Sequence, residues 1–324
     1  MLAPCVVFLS SFVAAMIVLL LERSIGIGWD FHPDAAYYSL MGSEFEVSLI
    51  SVINNLYALV AWMVVGEVEW LIAINIVLYC VTNVLGYNYI SRQCKGSLGR
   101  ATSLILLGVF LIQPYRVHLA VHALKDTLII ILLCLVVIGG RRAIAYLFLL
   151  LVSRVAAIIY VIPLVSRRML LLVVALVVSC FFVLDDYVFE ALLSRNEIDM
   201  GGRDFDTIPR FSEYGLVGSV LRAVLWPMFI FTGVFAVFAP ALAFIPIAAE
   251  IAAGRIALLR VSGSFRVLGV VFLACACIGL VVNSFTAFVR YCYPLICVMP
   301  LLVCGSGDKY GSRAMGGAGA VRVC

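Results

Sequence analysis

Residues 5–21 read CVVFLSSFVAAMIVLLL, an apolar run without a single charge. A helix needs roughly 20 such residues to cross the hydrocarbon core of a bilayer. The same texture recurs along the chain, in runs about 17 to 22 residues long separated by short polar breaks. With 65% hydrophobic and 12% charged residues and a mean hydropathy of +1.17, the chain lies outside the range of soluble domains. Lipid offers no partner for backbone polar groups, so only helices or closed barrels can span it. The alternating pattern of a barrel is absent, and the expected fold is all-α: a polytopic transmembrane bundle of roughly ten membrane segments. The first run lacks a basic n-region and a small-residue cleavage site, so it reads as a retained helix.

The net charge of +4 over 324 residues is small, and the basic residues fall in brief clusters, which excludes nucleic acid as a partner. These clusters serve as topology signals, because cytoplasmic breaks carry the excess of Lys and Arg. Basic breaks occur at Arg92, Lys95 and Arg100, at Arg141 and Arg142, at Arg167 and Arg168, at Arg255, Arg260 and Arg266, and in the tail. Acidic breaks alternate with them and are expected outside. This arrangement implies outer-face loops at 23–47, 115–126 and 185–220 within a bundle spanning 1–304, and a flexible cytoplasmic tail at 305–324. For the signs to alternate, 47–66 should be a partly buried helix that does not cross, with Trp70 to Tyr87 the second crossing. An ordinary double crossing is the alternative. Residues 143–163 should be a re-entrant pair or two short helices meeting near Arg154.

Of eleven cysteines, Cys80, Cys134, Cys180, Cys275, Cys277 and Cys297 lie inside apolar runs without ligand spacing, and they read as packing or lipid-facing residues.

The polar residues that remain collect on one side. The first outer loop, WDFHPDAAYYSLMGSEF from Trp29, holds Asp30, His32, Asp34, Tyr37 and Tyr38. The second, YRVHLAVHALKD from Tyr115, holds Arg116, His118, His122, Lys125 and Asp126. Arg154 and Arg290 interrupt apolar runs, where a charge costs about 2.5–3.5 kcal/mol on insertion scales. They therefore need partners or a polar cavity, which an anionic substrate would supply; snorkelling to headgroups is the plain alternative. His118, His122 and Asp126 are spaced i, i+4 and i+8, which on a continuous helix would permit a metal site. Hydrogen-bonded packing explains the spacing equally, and no cofactor is indicated.

In this order, the features resemble GT-C-type polytopic glycosyltransferases and the related O-antigen (repeat-unit) polymerases. The resemblance rests on WDFHPDAAYY after the first helix, the region around Asn75, QPYRVHLAVHALKDTLIIILL, LVSRVAAIIYVIPL and FVRYCYPLICVMPLL. It departs from several subfamilies in lacking a tight Asp-Glu or Asp-x-Asp pair.

The resemblance implies a membrane glycosyltransferase of surface polysaccharide biosynthesis in a bacterial inner membrane. The donor would be a polyprenyl-phosphate- or polyprenyl-pyrophosphate-linked sugar, and the acceptor a saccharide or lipid. Asp34, then Asp30, would activate or orient the attacking hydroxyl, and Asp126 would position the acceptor or hold a cation. Arg154, Arg290 and Lys125 would receive the charge of the departing phosphate, with His32, His122, Tyr37 and Tyr38 also binding substrate. A transporter or flippase of an anionic lipid-linked substrate is the alternative, for which an inverted repeat with broken helices would be the signature.

Overall fold

The structure is a computed structural model that describes residues 3–29, 33–44, 56–94, 99–139, 142–160, 162–164, 175, 179, 211, 214–235, 244–261, 264–282 and 284–316. Every element among the described residues is helical. In chain order these are α1 (Pro4–Ser24), α2 (Pro33–Glu44), α3 (Leu56–Met63), α4 (Val68–Cys94), α5 (Arg100–Leu111), α6 (Pro114–Ala120), α7 (Asp126–Ile138), α8 (Arg142–Val152) and α9 (Arg154–Tyr160). After a short 3₁₀ turn (Ile162–Leu164) come α10 (Gly215–Thr232), α11 (Phe244–Leu259), α12 (Ser264–Val281) and α13 (Phe285–Gly316).

Among the described residues, five stretches are long and apolar enough to cross a bilayer: Pro4–Ser24, Val68–Gln93, Arg100–Ala120, Ser264–Val281 and Ala287–Gly305. Asp126–Ile138 and Val217–Thr232 are apolar but shorter. Their surroundings differ sharply. Only 17% of the α1 span is buried against protein, and Leu9, Phe12, Val13, Ile17, Leu20 and Leu21 are exposed, whereas 78% of the α13 span is buried. An uncovered face of that size on a soluble chain would be an aggregation site; on a membrane helix it is the lipid surface.

Two apolar clusters fill the bundle. The smaller joins α1, α2, α3, α4 and the α6–α7 region through Ala15, Ala35, Tyr57, Leu71 and Ala123. The larger joins α5 and α7 to α13, with Trp226, Phe285 and Phe288 in edge-on and tilted ring contacts. Leu128 on α7 packs against both, so α7 forms the seam. Helix α13 packs on α4, α5, α7 and α12, and α1 lies along α4.

Local chemistry explains the breaks. Pro4 opens α1 at a position where a missing N–H costs nothing. Pro114 opens α6 in the same way, after Gln113 leaves helical geometry. Gly139 (φ +99°) ends α7 in the left-handed region, its N–H donating to the Leu135 carbonyl. In α13, Pro294 has no N–H to offer the carbonyl of Arg290 four residues earlier. One residue on, the Tyr160 hydroxyl donates to the Tyr291 carbonyl at 2.8 Å.

Several expectations meet the structure directly. Within the 47–66 run the described helix is α3, eight residues long, and α4 forms the next long span. The 143–163 run is two helices, broken at Ser153 just before Arg154. The apolar residues from Leu221 to Ala253 divide between two helices: α10 stops at Gly233 (φ +75°), and α11 starts at Phe244. Residues 115–126, expected as an outer-face loop, are largely buried. They form α6 and a buried turn, with Arg116, His122 and Asp126 all at most 2% exposed. Asn75 of α4 meets the turn's backbone and Asn83 of the same helix meets the Arg116 side chain, which makes that burial possible. Most of the 185–220 loop lies outside the described residues, as does all of the apolar run at 170–184 except residues 175 and 179. Helix α13 continues past residue 304 to Gly316, into the segment expected to be a tail.

Candidate functional site

Arg290, on the most enclosed helix, carries the site. Its Nε and Nη2 both donate to Asp126 Oδ2, at 2.9 and 2.6 Å, and its Nη1 donates to Asp34 Oδ2 at 2.7 Å. Three elements far apart in the chain thereby meet: α13, the first residue of α7 and the first turn of α2. Both carboxylates sit at helix N-termini, where unpaired N–H groups favour negative charge. Their exposure separates them. The Asp126 side chain is 4% exposed and that of Asp34 41%. Asp126 is thus the inner anchor of the guanidinium, and Asp34 is the carboxylate within reach of an incoming molecule.

Burial alone pushes the Asp34 carboxyl up, but the charge and hydrogen bond of Arg290, with the charge of Lys125, outweigh it and hold Asp34 below the usual aspartate range. Asp34 is therefore a weak proton acceptor and a firmly ionised hydrogen-bond acceptor. Beside it, burial and then the Asp34 charge push the Tyr38 hydroxyl well above its ordinary value, so it stays neutral. Tyr38 is 3% exposed and meets Tyr57 edge-on at 4.7 Å, which places it in the wall of the site; Tyr37 is 50% exposed.

Asn75 on α4 fixes the turn that delivers Lys125 and Asp126. Its Nδ2 donates to the carbonyls of His122 at 2.7 Å and Leu124 at 2.9 Å, and it lies 3.2 Å from the Tyr57 hydroxyl. Fully buried Arg116 is held by Asn83 Oδ1 and the Phe110 carbonyl, with its guanidinium 4.6 Å from the Phe110 ring centroid. At the start of α6, Glu250 accepts from the Tyr115 N–H at 2.8 Å and from the Tyr293 hydroxyl.

His118 and His122 do not share a face with Asp126. Helix α6 ends at Ala120, so the i, i+4, i+8 register is lost, and Asp126 is committed to Arg290. A residue the spacing could not name takes its place. Glu22, near the end of α1, puts Oε1 2.7 Å from His118 Nδ1 and Oε2 2.9 Å from His122 Nε2. Glu22, His118 and His122 supply a carboxylate and two imidazoles, the donor set of a zinc-class ion.

The structure therefore unites Asp34, Asp126, Lys125 and Arg290, with Tyr38 beside them, and sends His122 to Glu22. The anionic partner that the sequence assigned to a substrate of Arg290 is supplied by the chain. Asp30 and His32 lie outside the described residues, as does the side chain of Arg154, whose backbone opens α9. Glu22, Tyr57 and Glu250 were missed. A lone acid in the last turn of an apolar helix was the one signal that could have marked Glu22.

Among the described residues, fold and site together define an all-helical architecture with five spans long and apolar enough to cross a membrane, consistent with a multi-pass membrane protein, with a carboxylate–guanidinium–carboxylate cluster at its internal seam. The chain matches no known protein family, no curated protein and no solved structure.

Proposed function

We propose that the protein is a GT-C-like membrane glycosyltransferase or O-antigen-type repeat-unit polymerase of a bacterial inner membrane, with roughly ten membrane segments in all. It would use a polyprenyl-phosphate- or polyprenyl-pyrophosphate-linked donor and a saccharide or lipid acceptor at the outer face. The observation that carries this reading is the pairing of Arg290 with the half-exposed Asp34 and the buried Asp126. Residues named from three separate motifs of the resemblance converge on one point.

In this reading Asp34 accepts a hydrogen bond from the attacking hydroxyl and orients it; its depressed pKa favours that role over full proton abstraction. Arg290 and Lys125 stabilise the negative charge that develops on the departing phosphate. A phosphate oxygen competes with Asp34 for Nη1 of Arg290 while Asp126 keeps the guanidinium in place, so Asp126 is a positioning residue. Exposed Tyr37 offers a ring face to a sugar.

The test is Asp34→Asn in the full-length protein, produced in its host and quantified in the membrane fraction. Loss of the surface polysaccharide ladder beyond the first unit is expected for a polymerase, and loss of one sugar for a single-transfer enzyme. An unchanged ladder overturns the proposal. So does purified protein that moves a labelled lipid-linked glycan across vesicles without forming a glycosidic bond, which would mark a flippase.

A further inference from the structure

We propose that Glu22, His118 and His122 form a binding site for a divalent transition-metal ion of the zinc class, a site separate from the Asp34–Arg290–Asp126 cluster. Each carboxylate oxygen of Glu22 faces a different imidazole nitrogen, and the three ligand atoms lie within 4.8 Å of one another. Ligands about 2.05 Å from a metal on adjacent octahedral corners stand roughly 2.9 Å apart, and roughly 3.3 Å apart in a tetrahedron. Glu22 makes its 2.7 and 2.9 Å contacts through opposite oxygens, and the three donors, within 4.8 Å of one another, would close by side-chain shifts to reach either separation around an ion.

Electrostatics argues for the cation independently of the spacing. Glu22 lies in the last turn of α1 and is 13% exposed, so a carboxylate is held where the helix's own terminal carbonyls are already negative. A divalent ion held between this carboxylate and the two imidazoles would bring positive charge to that position. The ligands are also braced. Tyr115 stacks on His118, with ring centroids 5.7 Å apart and planes 19° from parallel, and Asn75 anchors the His122 carbonyl. Such bracing by neighbouring groups is what holds metal ligands in their productive orientation. The three donors come from the end of α1, the end of α6 and the following turn. A bound ion would therefore clamp α1 to the segment that delivers Lys125 and Asp126, whether or not the bundle transfers sugars.

The experiment uses full-length protein purified in detergent, stripped with chelator and titrated with Zn²⁺, and separately with Co²⁺ while visible absorption is recorded. The expected result is about one equivalent bound, with cobalt d–d bands that report nitrogen and oxygen ligands. Glu22→Gln keeps the shape of the side chain and its hydrogen-bonding reach, and it should weaken binding by about 100-fold or more; His122→Asn should do the same. Asp34→Asn leaves all three ligands intact and should bind as wild type. Monodisperse wild-type protein that takes up no ion, or Glu22→Gln protein that binds as tightly as wild type, overturns the site. If His122→Asn fails to fold, Glu22→Gln decides.

Discussion

Arg290 Nη1 and Asp34 Oδ2 stand 2.7 Å apart across 256 residues of chain, which ties the first polar segment after α1 to the last membrane helix. Asp126 holds the other edge of the same guanidinium, 164 residues away from it in sequence. The triplet is thus a tertiary clamp between the two apolar clusters as well as a candidate site.

The two carboxylates should be unequal in stability. Asp126→Asn removes the charge partner of a guanidinium that is 20% exposed, and breaking such a pair costs about 3–5 kcal/mol. Asp34→Asn removes a half-exposed partner, and screening keeps that loss to about 1 kcal/mol or less. Thermal unfolding of the purified variants should rank Asp126→Asn far below Asp34→Asn. Transfer activity should fall in both, by about 10²-fold or more for Asp34→Asn.

Arg290→Met leaves Asp126 charged and enclosed, and it should destabilise the bundle by about 3–5 kcal/mol. Adding Asp126→Asn removes that stranded charge. The double variant should recover most of the lost thermal stability while remaining inactive, which separates the structural role of the clamp from its chemical one. Equal unfolding midpoints for the single and double variants would show that the pair is not coupled.

The pH dependence has a definite sign. The Asp34 carboxyl is lower in the folded protein than in an unfolded chain, so its stabilising contribution is complete above the ordinary aspartate value of about 4 and disappears as pH falls through the depressed value. The difference in midpoint between wild type and Asp34→Asn should be flat from neutral pH to about pH 4 and should close below it. A difference that closes between pH 7 and 5 would refute the assignment.

Asn75→Leu keeps volume but removes the donor that serves the His122 and Leu124 carbonyls. The Leu124 N–H still donates to the His122 carbonyl at 2.9 Å, and loss of the donor that serves the Leu124 carbonyl in the interior costs about 1–3 kcal/mol. Limited proteolysis should find a new cut in the 121–125 turn, and zinc affinity should drop with it, because His122 is no longer braced.

The all-helical class and the location of the long apolar spans were legible in the residues themselves. A 20-residue apolar run has few structural options in lipid, and Pro114 and Gly139 mark ends that any context would respect. Arg290 could be singled out because a charge in an apolar run demands compensation, and Asp34 and Asp126 because they stand in the polar breaks between such runs. Tertiary structure alone decided what compensates what. Spacing predicts the shared face of a continuous helix, but α6 stops at Ala120, which turned Asp126 toward Arg290 and left His118 and His122 for Glu22, 96 and 100 residues earlier. Helices apolar on every side carry no stripe to show which neighbour they face, so one-dimensional periodicity could not foresee that meeting.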